Sequence, residues 1–406
     1  MTAAVPHVKP SARVSWATWA IAFCCDSYSE LFQIVTPLWA LHLGFSPFQI
    51  GVLVAARASL SLVLIIHGGA LVDRFGTKRI LVILAAISAF NPLLFPILPW
   101  FPALIVLQMA GGLAASLAWV AAQALALQVS NADTTFVSRF AFSARFGTTF
   151  APAAIGFLWD RAGVWLSFLA VALWGSVFLV GALLIPARAI VQETRKAKDK
   201  VAFADLMPKL SDYIGAFGLL AIPSVLFVVA ISFVRVCSTN IQSSFYIVYL
   251  EQISFPGTLI GTLITISSVA AGIGTLMAGP VEKVVPAKWM YLGAVILSII
   301  FIAVTPLLGS WFPVLATVIG LRGFFQGLSG PVMFTYLSRS VKPSEQGLSI
   351  GLRATFNRLS VLIMPLVMGA TADIFSVGMS FYVMGTILLA ILALIAWWAR
   401  DRASME

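Results

Sequence analysis

Long apolar runs separated by short polar connectors repeat along this chain. Each run is about 20 residues or more, the length a helix needs to cross a hydrocarbon core about 30 Å thick. The pattern predicts spans at about 15–43, 48–72, 79–99, 102–128, 139–160 and 163–186. A second set follows at about 216–250, 256–281, 289–308, 311–338, 347–370 and 378–400. Barrel strands would instead read as about 10-residue segments of alternating polarity. The fold class expected is therefore an all-α membrane protein, with 12 transmembrane helices in two pseudo-symmetric six-helix bundles. The long polar stretch between the sets, IPARAIVQETRKAKDKVAFADLMPKLSD at 185–212, reads as a cytoplasmic linker in which 203–212 forms an amphipathic surface helix. The domain reading is 1–186 for the first bundle, 187–215 for the linker and 216–406 for the second bundle.

Composition agrees with the pattern. The chain is 60% hydrophobic and 10% charged, with a mean hydropathy of +1.01, against about 25% charged residues in soluble domains. The net charge of +10 gains meaning from its placement. Lys9 and Arg13 precede the first span, Arg74, Lys78 and Arg79 follow the second, and Arg139 follows the fourth. The linker, Lys283, Lys288, Arg339, Lys342, Arg400 and Arg402 continue the series, while the alternate connectors hold only Arg161. This alternation predicts cytoplasmic N- and C-termini in the inner (plasma) membrane and leaves no role for nucleic acid. Cys24, Cys25 and Cys237 fall inside spans without ligand spacing, so neither a disulfide framework nor a metal site is expected. The first span is too long for a signal-peptide core, and no cleavable signal is expected.

The two sets repeat one another. Arg145, Pro152, Gly156 and Asp160 are spaced 7, 4 and 4 residues apart, and Arg358, Pro365, Gly369 and Asp373 repeat that spacing 213 residues later. Gly51 pairs with Gly261 and Gly69 with Gly279, both at an offset of 210. Parallel repeats about an axis normal to the membrane characterise one class of secondary transporter.

At the basic end of span 2 stands GALVDRFGTKR, residues 69–79. This stretch resembles the loop 2–3 signature of the major facilitator superfamily, G-x-L-x-D-R-x-G-R-K, matched by Gly69, Leu71, Asp73, Arg74, Gly76 and Lys78. Thr77 stands where a basic residue is usual. The resemblance implies the superfamily's twelve-helix fold and an alternating-access transporter. It also implies that Asp73, with Arg74, Lys78 and Arg79 beside it, latches onto the N-terminal end of span 11 near Arg353. Glu282 in GPVEKVVPAK is the displaced counterpart in the second half. The other reading of Asp73 and Arg74 is that they only set topology. LRGFFQG at 321–327 resembles the family's span-4 R-x-x-Q-G element, displaced here to span 10 with one extra residue. GTTFAPAAIG at 147–156 resembles an antiporter signature with two glycines replaced; close helix packing is the alternative.

Charged residues inside spans default to function or to partnering. Asp26 and Glu30 lie one turn apart on span 1, with Gln33 a further turn along. Arg235, Thr239 and Gln242 form an equivalent face on span 7, and the 210 offset places Arg235 at position 25 and Asn240 at position 30. Asp26, Glu30 and Arg235 are the candidate proton-coupling residues, the carboxyls taking up protons in competition with substrate or Arg235. The alternative is a static bridge between spans 1 and 7. Gln33, Arg57, Trp119, Gln123, Asn240, Gln242, Gln326 and Phe334 are candidates to line a substrate cavity. Arg57 snorkels outwards or attracts an anion, and Arg145 and Arg358 are expected to partner acidic loops.

No G-x-x-x-x-G-K-[ST] motif, nucleophile–base pair or metal motif occurs, so neither an enzyme nor a cofactor is expected. The reading is a secondary transporter of a small organic solute, by proton-coupled efflux of an amphipathic metabolite or drug. The alternative is proton symport importing an anionic or zwitterionic nutrient, and a third option is a non-transporting sensor. The expected partners are a small-molecule substrate, protons and the lipid bilayer, with the chain acting as a monomer.

Overall fold

The fold comes from a computed structural model that describes residues 10–130, 133–186, 217–340 and 346–400; within these, the side chains of 63–75, 334, 336–340, 346–348, 350 and 351 are not described. The linker, its expected surface helix, and the side chains of Gly69, Asp73, Arg74 and Phe334 thus lie outside the described residues.

Helices α1 (Ala12–His42), α2 (Pro47–Phe75), α3 (Thr77–Ile97) and α4 (Phe101–Ser130) carry the first four spans. Spans 5 and 6 form one continuous element, α5 (Thr134–Leu184), broken at Gly163, whose φ of 74° turns the chain between them. Span 7 comprises α6 (Pro223–Ile241), a π-helical turn (Gln242–Tyr246) and α7 (Ile247–Gln252). Helices α8 (Gly257–Glu282), α9 (Ala287–Ala303), α10 (Phe312–Ser340), α11 (Gln346–Ile374) and α12 (Val377–Arg400) follow with the numbers of their spans. Among the described residues, eight helices are long and apolar enough to cross a membrane, α5 counting once. The chain is a multi-pass membrane protein.

Local chemistry explains where these helices start. Ser46 and Gln49 form a reciprocal capping box ahead of α2: the Gln49 N–H donates to Ser46 Oγ at 3.3 Å and the Ser46 N–H to Gln49 Oε1 at 2.9 Å. Asp133 caps α5 by accepting from the Phe136 N–H at 2.8 Å. Pro223 opens α6 and Pro256 precedes α8, positions where a missing N–H or a fixed φ is tolerated. Between caps, the sequence offers apolar side chains on every face, as a helix between protein core and lipid requires.

By packing, the chain divides into two compact units. One holds the described parts of Met1–Phe32, Ser59–Ala151 and Ala162–Pro208, the other those of Gln33–Ala58, Pro152–Arg161 and Lys209–Glu406. Inside the first, Ile21, Ala85, Ala121, Ala122 and Leu125 are buried almost completely. The many alanines let α4 approach its neighbours closely.

In the second unit, glycines set the helix spacing. A Cβ on Gly327 of α10 would stand 1.9 Å from the Ala271 carbonyl oxygen, and one on Gly274 of α8 would stand 2.0 Å from that of Phe324. The α8–α10 pair therefore packs backbone to backbone. Repeat-related glycines make equivalent approaches at the weakly charged end of the spans. Gly51 meets the Pro365 carbonyl and Gly261 the Pro152 carbonyl, at 2.3 and 2.2 Å from the added Cβ. These contacts join α2 to α11 and α5 to α8, and the proline carbonyls come from the same repeated motif.

Candidate functional site

In the first unit the site is built on α1. Asp26 and Glu30 are partly exposed while Cys24, Cys25, Ser27 and Tyr28 are buried, so the two carboxyls share the less buried face of α1. Gly147 of α5 allows the Phe23 carbonyl to within 2.5 Å of where its Cβ would be. Trp174 Nε1 donates to Ser27 Oγ at 2.8 Å, and Ser27 Oγ donates in turn to the Phe23 carbonyl. This clamp brings α5 beside Asp26, and Arg145, two residues before Gly147, acts on Asp26 electrostatically. The sequence reading pairs Arg145 with the acidic loops; in the structure it lies within electrostatic range of this carboxyl. Trp119 is partly exposed and stacks on Phe140 at 5.8 Å between centroids, while Gln123 is exposed.

Asp26 and Arg235 belong to different units. Gln33 and Arg57 fall in the second unit, both partly exposed.

The second unit gathers a larger polar network around span 7. Arg235, Thr239 and Gln242 are partly exposed, whereas Ser238 and Asn240 are buried, so the face read from the sequence is the accessible one. Thr239 Oγ1 donates to the Arg235 carbonyl at 3.0 Å and accepts from Gln326 Nε2. Ser298 Oγ of α9 donates to Gln326 Oε1 at 3.2 Å. Ser232 Oγ donates to Asn357 Oδ1 of α11 at 3.1 Å. Spans 7, 9, 10 and 11 are thus tied by side-chain hydrogen bonds across the unit's interior.

Beneath this face lies Arg322 of α10, only 1% exposed. Its Nη2 donates to the Ser238 carbonyl at 3.0 Å, and its Nη1 to Gln242 Oε1. Arg235 acts electrostatically on both Arg322 and Arg353, and Arg353 Nη1 contacts Met333 Sδ at 3.7 Å. Three guanidinium groups therefore share one neighbourhood. Among the described residues, no carboxylate pairs with Arg235 and its Nε has no hydrogen-bond partner. A cation flanked by two others gains from an anion brought in from outside the protein.

Arg322 is the residue sequence reasoning left out of the site. LRGFFQG resembles a displaced family element, and its arginine and glutamine are the two groups α10 sends under span 7. Gly76 carries a φ of 85° at the start of α3, Lys78 is partly exposed and Arg79 exposed, and Glu282 ends α8.

At the weakly charged end, Asp160 caps the N-terminus of α8. It accepts from the Gly257 N–H at 2.8 Å, the Thr258 N–H at 2.7 Å and Thr258 Oγ1 at 2.6 Å. Its repeat mate Asp373 accepts from Ser46 Oγ, beside the start of α2, at 3.1 Å. Among the described residues, no group of three or more His, Cys, Asp or Glu side chains is placed to hold a metal ion.

A family model described as Major Facilitator Superfamily matches residues 18–250 and 228–405. Solved structures of similar fold include a crystal structure of the nucleoside transporter NupG in an aspartate-to-alanine mutant form. It matches at a TM-score of 0.79 and 13% identity, covering 96% of this chain and 100% of that one. A second crystal structure of NupG matches at a TM-score of 0.73 and 11% identity, with the same coverage. No curated protein matches the chain.

Proposed function

The chain belongs to the Major Facilitator Superfamily, and from that premise we propose that it is a proton-coupled transporter that takes up a small organic anion by alternating access. The observation that carries this reading is Arg235: partly exposed, flanked by Arg322 and Arg353, and without a carboxylate partner among the described residues. A neutral solute such as the nucleoside named for NupG leaves that charge uncompensated; a carboxylate or similar oxyanion neutralises it through bidentate hydrogen bonds.

Coupling follows from the direction of the membrane field. Bringing one negative charge into a negative-inside compartment costs about 2.3 kcal/mol per 100 mV, whereas the anion leaves without assistance. Uptake is therefore the direction that needs co-transported protons, and Asp26 and Glu30 are the carboxyls on hand to carry them. Discharge of Asp26 by a proton weakens its attraction to Arg145. Proton occupancy can then bias an equilibrium between two conformations. The span-5 glycines, which bear on the efflux reading, have a packing role: Gly147 against α1 and Gly156 against α8. In this reading the weakly charged end is the outer one, both termini are cytoplasmic, and the protein lies in the inner (plasma) membrane with 1–186 and 216–406 as its two bundles.

A thermal-shift screen of purified protein against organic anions, neutral nucleosides and organic cations at pH 5.5 and 7.5 tests this. Stabilisation by anions in the wild type, lost in Arg235→Gln, supports the reading. Stabilisation by cations or neutral solutes that survives Arg235→Gln defeats it.

A further inference from the structure

Resting on the anion reading above, we infer that the span-7 site offers donors alone at two points, Arg235 and the Gln242 amide, that Arg322 is the positioning residue which fixes the second, and that the ligand is a carboxylate bearing a separate, uncharged hydrogen-bond acceptor such as a ketone, ester or amide carbonyl.

The inference starts from the π-helical turn. At the end of α6 the Gln242 N–H donates to the Thr239 carbonyl, so the Ser238 carbonyl loses its usual i+4 donor. Arg322 Nη2 takes up that carbonyl at 3.0 Å, satisfying a backbone group that a π-turn would otherwise strand in the interior. The same guanidinium meets the Gln242 side chain. Guanidinium has only N–H donors, so Gln242 must turn Oε1 towards it. The amide is thereby oriented, and its Nε2 points away from Arg322 with two protons to give.

Of the neighbouring polar groups, Gln326 and Thr239 are already engaged, while Ser238 Oγ and Asn240 Nδ2 lack hydrogen-bond partners but belong to buried side chains off this face. Gln326 spends Oε1 on Ser298 and Nε2 on Thr239, and Thr239 is used as both donor and acceptor. Gln326 therefore acts as a strut between spans 7, 9 and 10. Along the accessible face 235–239–242, unused hydrogen-bonding capacity belongs to the Arg235 guanidinium and to Gln242 Nε2, neither of which hydrogen-bonds to another described residue through these atoms. Both are donors. Their Cα atoms lie seven residues, about 10 Å, apart along the helix. Two side chains of that reach converge on a ligand whose acceptors are a few bonds apart. Arg235 selects the charged acceptor. Gln242, being neutral, is best matched by an uncharged one, and it disfavours an ammonium or other donor at that position.

The test uses purified full-length protein in lipid nanodiscs and calorimetric binding of four matched probes: 4-oxopentanoate, pentanoate, 4-aminopentanoate and 2-pentanone. The expected order places 4-oxopentanoate about tenfold tighter than pentanoate, with 4-aminopentanoate weakest among the carboxylates. Gln242→Leu is expected to bring the ratio of 4-oxopentanoate to pentanoate affinity from about tenfold down to about one. Arg322→Gln frees the Gln242 amide to flip and is expected to erase the same ratio, and Arg322→Lys, again a pure donor, is expected to restore it. A purely structural arginine would instead weaken all probes in parallel. Equal binding of 4-oxopentanoate and pentanoate by the wild type overturns this inference and leaves the anion reading standing. An unchanged ratio in Arg322→Gln overturns the positioning role. Binding of 2-pentanone as tight as that of 4-oxopentanoate overturns the anion reading itself.

Discussion

Asp160 provides a quantitative test of how the weakly charged end is held together. Its carboxylate accepts the first two backbone N–H groups of α8 and the Thr258 hydroxyl. Hydrogen bonds to a charged group contribute about 1.5–3 kcal/mol each when shielded, and a carboxylate at a helix N-terminus adds about 0.3–1 kcal/mol through the dipole. Asp160 is exposed, so solvent screening reduces these figures substantially. Asp160→Asn keeps one acceptor oxygen but loses the charge and turns an NH2 towards N–H donors. The net loss is about 1.4 kcal/mol, or about tenfold in the equilibrium between the joined and separated ends of α5 and α8. Amide hydrogen exchange at Gly257 and Thr258, read by mass spectrometry in nanodiscs, should accelerate about tenfold. Asp373→Asn is the internal control: its hydrogen bond to Ser46 is a single, exposed one at 3.1 Å, and its effect at the start of α2 should stay within about twofold. Unchanged exchange at 257–258, or an equal acceleration throughout α8 and α10, would refute the reasoning.

Three further outcomes follow from the geometry. Gly327→Ala drives a methyl against the Ala271 carbonyl, 1.9 Å from the ideal Cβ; it should destabilise the protein by about 1–3 kcal/mol, read as a lower thermal midpoint. Gly261→Ala meets a similar obstacle at the Pro152 carbonyl, 2.2 Å away. It should likewise lower the thermal midpoint, and a midpoint equal to that of the wild type would contradict the backbone-to-backbone packing of α5 on α8. Asp26→Asn combined with Glu30→Gln should remove the response of transport to an imposed pH gradient while substrate exchange persists. Retention of full pH-driven uptake by the double variant would end the coupling proposal.

Much of the architecture was legible because the bilayer imposes a coarse rule. Twenty-residue apolar runs and alternating basic connectors located the spans, including the break at Gly163 between spans 5 and 6. Within the 213-residue repeat, Pro152, Gly156 and Asp160 and their mates Pro365, Gly369 and Asp373 are used in matching ways, with Asp160 on α8 and Asp373 beside α2. The face Arg235–Thr239–Gln242 was read from helical periodicity and is the accessible one. Other features escaped. The π-turn at Gln242–Tyr246 has no composition signature, since any of its residues suits an α-helix. Arg322 was visible in LRGFFQG, but periodicity could not tell that it points beneath span 7. Arg145 was assigned to loops because a linear sequence does not show that Gly147 draws α5 onto α1 beside Asp26.

The central claim is proton-coupled uptake of an organic anion through Arg235. Proteoliposomes enclosing a pH-sensitive dye, challenged from outside with 4-oxopentanoate and held at a negative interior potential, report on it most directly. The account predicts that the lumen acidifies with the wild type and stays constant with Arg235→Gln. Alkalinisation of the lumen, or an equal signal from the Arg235→Gln protein, would contradict it.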